Sequence, residues 1–210
     1  NFSFYYAHHM STIEGGMVCT NDEELYQTFR MLRSHGLLRE STSDKYKNNY
    51  KNKFPDLNPE FIFLFPAYNV RNTELGGILG RSQLKRLDNN NKLRNRNNEL
   101  FLKNINPEIY RTDFRLEGSS NYAFNLIIIK PDMDFTAKLM EKMSNAKVEF
   151  RRGSAGGGNQ LRQPYLRNLF GDIYKNFPNT DHIHFHGFYI GNFPSLEEKT
   201  VMKLCELLNT

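Results

Sequence analysis

Cysteine is almost missing from this chain. Cys19 and Cys205 are its only two, and they form no CxxC pair or metal-ligand spacing. That excludes a disulfide framework or a zinc ribbon and points to a reducing, cytoplasmic setting. Long apolar runs are missing too. None approaches the ~20 residues that a membrane-spanning helix needs, and no signal-peptide pattern opens the chain. The first residue is Asn1 rather than Met, and Phe2-Ser3-Phe4 reads as the middle of a packed element, so a fragment of a longer protein is expected. Internal repeats are absent.

Charge of one sign is gathered nowhere. The net charge is +5 and the isoelectric point near 9.1, yet Lys and Arg are spread among acids rather than forming a stripe. That argues against nucleic acid and suits a phosphate-bearing small molecule. Residues 153–159 (Gly-Ser-Ala-Gly-Gly-Gly-Asn) lack the Gly-Lys-Ser/Thr of a Walker loop and do not form a dinucleotide fingerprint. Their glycines either let backbone approach a ligand or merely bend a loop. His182, His184 and His186 alternate, and on a strand they would share one face able to bind a transition metal. No fourth ligand is evident, and no metal is expected.

What is present reads as helices and short strands around an ordinary core. At 210 residues there is length for one or two domains. Residues 17–20 read as a short buried strand. Thr20-Asn21-Asp22-Glu23-Glu24 then starts a helix, with a capping side chain and acids in its first turn. Leu25, Phe29 and Leu32 share one face, and Gly36 suits the helix exit. Residues 40–59 are polar and expected as a long surface loop. From Thr73-Glu74 a second helix runs towards Phe101, with Leu75, Ile78 and Leu79 as an apolar patch and a solvated Asn- and Arg-rich piece over 89–98. Beyond residue 105 the texture becomes α+β. Strands are expected over 110–116, 122–129, 148–151 and 185–190, with helices on Phe135, Leu139 and Met143 and after Ser195.

The candidate chemistry concentrates in three places. Ser3-Phe4-Tyr5-Tyr6-Ala7-His8-His9 leads through Met10-Ser11-Thr12-Ile13 into Glu14-Gly15-Gly16. Histidines at such a strand-to-turn junction can move protons near neutral pH, or one can be packed and the other solvated. His35 and Arg39 follow the first helix, where cationic side chains also serve the carbonyl end of the dipole. Asn69 and Arg71 sit at a helix entrance, where an amide and a helix N-terminus suit a phosphate, and where Asn72 or Thr73 could equally be a simple cap.

Together these segments resemble the sugar aminotransferase superfamily (DegT/DnrJ/EryC1/StrS) of fold-type I, pyridoxal-phosphate (PLP) enzymes. The family's Ser-Phe-x-x-x-Lys run before Glu-Gly-Gly is matched here with His8 at the lysine position, the mark of its sugar 3-dehydratase branch. Arg33-Ser34-His35-Gly36 with Arg39, Pro66-Ala67-Tyr68-Asn69-Val70-Arg71 and Gln83-Leu84-Lys85 continue the match. Gly118-Ser119-Ser120, Glu149-Phe150-Arg151 and Tyr189-Ile190-Gly191-Asn192 carry it more loosely to the end of the chain. The iron–sulfur branch carries a cysteine cluster in the loop after the His35 helix, and the absence of cysteine from that loop sets this chain apart.

The resemblance implies an α/β fold comprising the C-terminal part of a fold-type I transferase. Residues 1–104 would be the end of the PLP-binding large domain with a connecting helix, and 105–210 the small α+β domain. It implies His8 and His35 as catalytic, Ser3 and Asn69 on the cofactor phosphate (Asn69 across a dimer interface), and Arg39 and Arg71 on substrate. PLP or pyridoxamine phosphate (PMP) would be the cofactor, glutamate the amino donor and a nucleotide-linked 4-keto-6-deoxyhexose the substrate. A homodimer with a shared active site, working in deoxysugar or lipopolysaccharide biosynthesis, would be expected. A nucleotide-sugar aminotransferase and an inactive fragment are the alternatives.

Overall fold

The computed structural model describes residues 1–153 and 157–210, so part of the glycine-rich stretch 153–159 lies outside the described residues. Two compact units follow one another, Asn1–Arg86 and Leu87–Thr210.

In the first unit, β1 (Phe2–Ser3) pairs antiparallel with β2 (Gly16–Met17), and residues 4–15 fold back between them. Phe4 N–H donates to Gly15 O at 2.8 Å and Thr12 N–H to Phe4 O at 2.8 Å. The buried strand expected over 17–20 is not formed. Met17, Val18 and Cys19 are exposed, because a two-residue ladder presents no face for another layer to cover. Helix α1 (Glu23–Leu32) starts as expected: Asp22 Oδ1 accepts the Leu25 N–H at 2.9 Å. Its buried face differs. Gln27 and Met31 point inward, while Leu25 stays 46% exposed. The turn packed against α1 is polar, and it matches Gln27 rather than a leucine.

A second helix, α2 (Asp44–Lys53), occupies much of the stretch expected as loop. Local interactions account for it. Ser43 Oγ caps the Tyr46 N–H at 3.2 Å, Lys47 pairs with Asp44 at 2.9 Å, and the Tyr46 and Tyr50 rings lie one turn apart. The long helix α3 (Glu74–Asn104) begins in this unit. Gly80 admits Thr12 closely, since a Cβ there would lie 3.4 Å from Thr12 Cγ2. Leu75 and Ile78 of the expected apolar patch are exposed.

The second unit is built on a three-stranded antiparallel sheet: β3 (Ala123–Ile127), central β5 (Gly187–Gly191) and β4 (Phe150–Arg152). Period-two alternation puts Phe124, Leu126, Phe188 and Ile190 on one face. They pack with Phe101 of α3, with Leu139 and Met143 of α4 (Met133–Asn145), and with Val201, Cys205 and Leu208 of α7 (Glu198–Asn209). The Phe101 and Phe124 rings stack at 4.6 Å, and the Cys205 thiol lies 3.7 Å from Phe101 O. Asp132 caps α4 on the Phe135 N–H at 2.9 Å. Between β4 and β5 come α5 (Pro164–Phe170) and α6 (Pro178–His186). The strand expected over 110–116 shrinks to a single bridge between Tyr110 and Ile128.

Two further expectations change here. The Asn- and Arg-rich piece of α3 is buried at Arg94, Asn97 and Asn98. Asn192 Nδ2 donates to Arg94 O and to Asn121 O, both at 2.9 Å, and Asn97 Nδ2 donates to Asn192 Oδ1 at 3.2 Å. This polar joint and Phe101 tie the later turns of α3 to the second unit, which begins at Leu87. The three alternating histidines lie on helix α6, led by Pro178, not on a strand. The His182 and His186 rings lie one turn apart, tilted to each other with centres 5.2 Å apart, and His184 falls on another side. No cluster of metal-binding side chains and no helix apolar enough to cross a membrane occurs among the described residues.

Candidate functional site

The His35 region is held by backbone geometry. After α1 the chain turns through two successive left-handed residues, His35 (φ 63°) and Gly36 (φ 74°). A Cβ at Gly36 would collide with the Phe65 carbonyl, so the position needs glycine twice over, for conformation and for space. His35 adopts the same region with a side chain, which costs roughly 1–2 kcal/mol. Neighbouring hydrogen bonds enforce it. His35 N–H donates to Tyr68 O at 2.6 Å, Tyr68 N–H to Leu32 O at 3.0 Å and Val70 N–H to Arg33 O at 2.9 Å. Ser34 therefore faces Asn69 in an antiparallel bridge, and Leu37 faces Phe63 further along.

On this ladder the structure gathers three of the six expected residues. Asn69 is exposed, and its Oδ1 accepts Arg71 Nε–H at 3.3 Å. His35 and Arg71 are exposed as well. Arg39 lies beyond them, on the 3-10 turn Leu38–Glu40. Its guanidinium rests 5.0 Å from the centre of the Phe61 ring and donates to Glu60 O at 3.4 Å.

Ser3 and His8 belong to the β1–β2 hairpin. Ser3 Oγ accepts the Tyr5 N–H at 3.4 Å, and Tyr5 O accepts the His8 N–H at 3.0 Å. The His8 ring is half-buried, edge-to-face with Tyr5 at 5.7 Å between centroids. The hairpin carries no lysine. It approaches the segment after Arg71 through Gly15, where a Cβ would stand 3.7 Å from Asn72 Nδ2.

A residue that one-dimensional patterns miss supports this arrangement. Gln27 is 4% exposed, and each end of its amide makes two bonds. Its Oε1 accepts from Ser41 Oγ–H and Thr42 N–H, both at 2.8 Å, while its Nε2 donates to Glu23 at 2.6 Å and Thr42 Oγ1 at 2.8 Å. Arg30 Nε–H adds a bond to Glu40 O at 2.8 Å. Helix α1 thereby fixes the end of the turn that bears Arg39. The only hint in the sequence is the Ser-Thr pair fourteen and fifteen residues downstream.

Comparison with known proteins agrees with this picture. GDP-4-keto-6-deoxy-D-mannose 3-dehydratase of Escherichia coli O55:H7 is 31% identical over 193 residues, 91% of this chain and 49% of that protein. The enzyme of the same name from Yersinia pseudotuberculosis is also 31% identical over 193 residues, covering 91% of this chain and 48% of its own length. A crystal structure of GDP-4-keto-6-deoxymannose-3-dehydratase with a trapped PLP-glutamate geminal diamine matches with a TM-score of 0.73 and 29% identity, over 99% of this chain and 53% of that one. The chain thus spans about half the length of the curated relatives it matches. Its fold is that of the PLP-dependent sugar aminotransferases and dehydratases. Residues 1–209 match the DegT/DnrJ/EryC1/StrS aminotransferase family, and the chain belongs to it.

Proposed function

We propose that this chain supplies part of the active site of a PLP- or PMP-dependent 3-dehydratase acting on a nucleotide-linked 4-keto-6-deoxyhexose, with glutamate as amino donor. The observation that carries the reading is His8. By the family resemblance it stands at the cofactor-lysine position, on a hairpin that has no lysine to join the cofactor covalently.

The donor set fits the phosphate of such a cofactor. The hydroxyl of exposed Ser3, the NH2 of exposed Asn69 and the Arg71 cation are neutral and charged donors of the kind a phosphate ester takes. When bound, PLP or PMP supplies the electron sink for chemistry at the sugar carbons. The remaining work falls to side chains of this chain. His8 takes up a proton near the cofactor, with Tyr5 against its ring and the Tyr5 carbonyl fixing its backbone. His35, on its left-handed backbone, would serve the same chemistry as a second proton-transfer group, while Arg39 and Arg71 attract the negative charge of the nucleotide. Tyr68 (70% exposed) and Val70 (66% exposed) flank Asn69 as uncovered apolar side chains. That supports a homodimer in which Asn69 reaches the partner's cofactor phosphate. The domain roles suggested by the resemblance, the end of a cofactor-binding domain followed by a small domain, belong to the same reading.

Incubating the full-length protein that contains this chain with PLP, glutamate and the nucleotide-linked 4-keto-6-deoxyhexose tests it. A 3-deoxy ketone is expected, and a 4-amino sugar overturns the dehydratase reading. The family's aminotransferase members favour that second outcome as the competing function. His8→Lys separates the two, since a lysine there can return a proton to the sugar carbon and make transamination appear.

A further inference from the structure

The end of the glycine-rich stretch is fastened to α6 by a compact polar cluster that the proposed chemistry leaves unused. Asn159, 1% exposed, lies at its centre. Its side-chain Nδ2 donates to Asp181 Oδ1 at 2.7 Å, and its Oδ1 accepts the Leu161 N–H at 3.1 Å. Asp181 is also gripped by both arms of Arg162, at 2.7 and 2.6 Å. The guanidinium lies between two rings, 4.1 Å from the centre of Tyr174 and 4.9 Å from that of Phe185. These contacts are unaffected by pH near neutrality.

One contact differs. The backbone N–H of Asn159 donates to His184 Nδ1 at 3.1 Å, which requires an unprotonated nitrogen there and places the ring hydrogen on Nε2. Gly158 (φ 87°) lies directly on the imidazole, where any side chain would collide with Nδ1.

We propose that His184 is a proton-operated catch on the turn 157–163. Neutral, it accepts the Asn159 amide and keeps the turn closed on α6. Protonated, Nδ1 carries a hydrogen, loses the acceptor and meets the Asn159 N–H donor to donor. The charged groups around it reinforce the effect. Arg162, from the turn itself, and Arg152, from β4, both oppose a second cation, while Asp181 on α6 and the Gly157 carbonyl favour one. Burial weighs most against the charged ring, followed by Arg162. Asp181 is already committed to Arg162, so it is not free to turn and stabilise the imidazolium.

Amide hydrogen exchange and imidazole nitrogen NMR on the full chain test this. Protection of the Asn159 amide, corrected for intrinsic exchange, is expected to fall about tenfold between about pH 7.5 and pH 5.5. Neutral His184 is expected as the Nε2–H tautomer. Protection that does not change with pH, or an Nδ1–H tautomer, overturns the proposal. In His184→Leu the amide should be weakly protected at every pH, and a surviving pH step in that variant also overturns it. Should that variant not fold, the tautomer of the unaltered protein decides alone.

Discussion

Ser34 and Asn69 face each other across a single antiparallel bridge, and that pairing sets where His35 stands. The two are separated by a helix exit, a 3-10 turn, α2 and the apolar run at residues 61–65. Backbone bonds either side of the bridge join Arg33 to Val70 and His35 to Tyr68. Ser34 itself is completely buried, and its hydroxyl has no hydrogen-bond partner among the described residues.

An orphaned hydroxyl is a cost that alanine removes. Ser34→Ala is expected to raise stability by about 1 kcal/mol, because the desolvated group disappears without leaving a partner unpaired. Urea unfolding measures it. A loss of stability would mean that the hydroxyl makes a bond in solution.

His35→Gly should separate conformation from chemistry. Glycine enters the left-handed region freely, so the fold keeps or gains about 1 kcal/mol. If His35 acts in catalysis, turnover falls while the melting temperature does not. Gly36→Ala works in the opposite sense. The added methyl meets the Phe65 carbonyl, and at least about 2 kcal/mol of stability should be lost.

Gln27→Leu keeps the size of the side chain and removes every bond of its amide. The Thr42 N–H and the Ser41 hydroxyl then lose their acceptor, and a loss of about 2 kcal/mol is expected. Chemical denaturation gives the number. Substrate affinity should weaken too, if Arg39 binds substrate, since the turn bearing it is no longer fixed.

Acid should unfold the second unit in two stages. His186 Nδ1–H donates to Thr136 Oγ1 at 2.9 Å, because the threonine's own hydrogen goes to Asp132 O. Burial first, then the neighbouring His182, hold the His186 imidazole below its usual value. A base that is depressed in the folded state binds its proton more readily when unfolded. Its contribution is therefore present above about pH 6.5 and lost as pH falls below that. Asp181 behaves similarly at lower pH. The Arg162 hydrogen bonds, followed by that from Asn159, outweigh burial and hold its carboxyl at about 2. Its contribution is present above the ordinary carboxylate value and lost as pH falls from about 4 towards 2. Melting temperatures across this range should show both steps, and Asp181→Asn should remove the lower one.

The parts legible in the sequence are those governed by neighbours. Asp22 announces its helix because a cap and its target lie three residues apart. Phe135, Leu139 and Met143 declare a face by spacing alone. The resemblance placed His8, His35 and Asn69 on the motifs that the family match spans, and the structure adds the ladder that joins the latter two. Burial of polar residues was not legible. Gln27 needs Ser41 and Thr42, and Asn97 needs Asn192; nothing local separates such a side chain from a solvated one. The histidines of α6 misled for a related reason. Alternation suggests a strand, yet Pro178 preorganises a helix start, and a helix turns residues two apart away from each other.

The two cysteines differ in a way that makes the chain its own reporter. Cys19 lies exposed just after the hairpin that carries His8, whereas Cys205 is 1% exposed and packed under Phe101. Burial, and then Glu206, push the Cys205 thiol up to about 11. A thiol-reactive dye at neutral pH should therefore attach at Cys19 alone, giving a single label beside the candidate site without any engineered substitution. The later appearance of a second label would time the opening of the core.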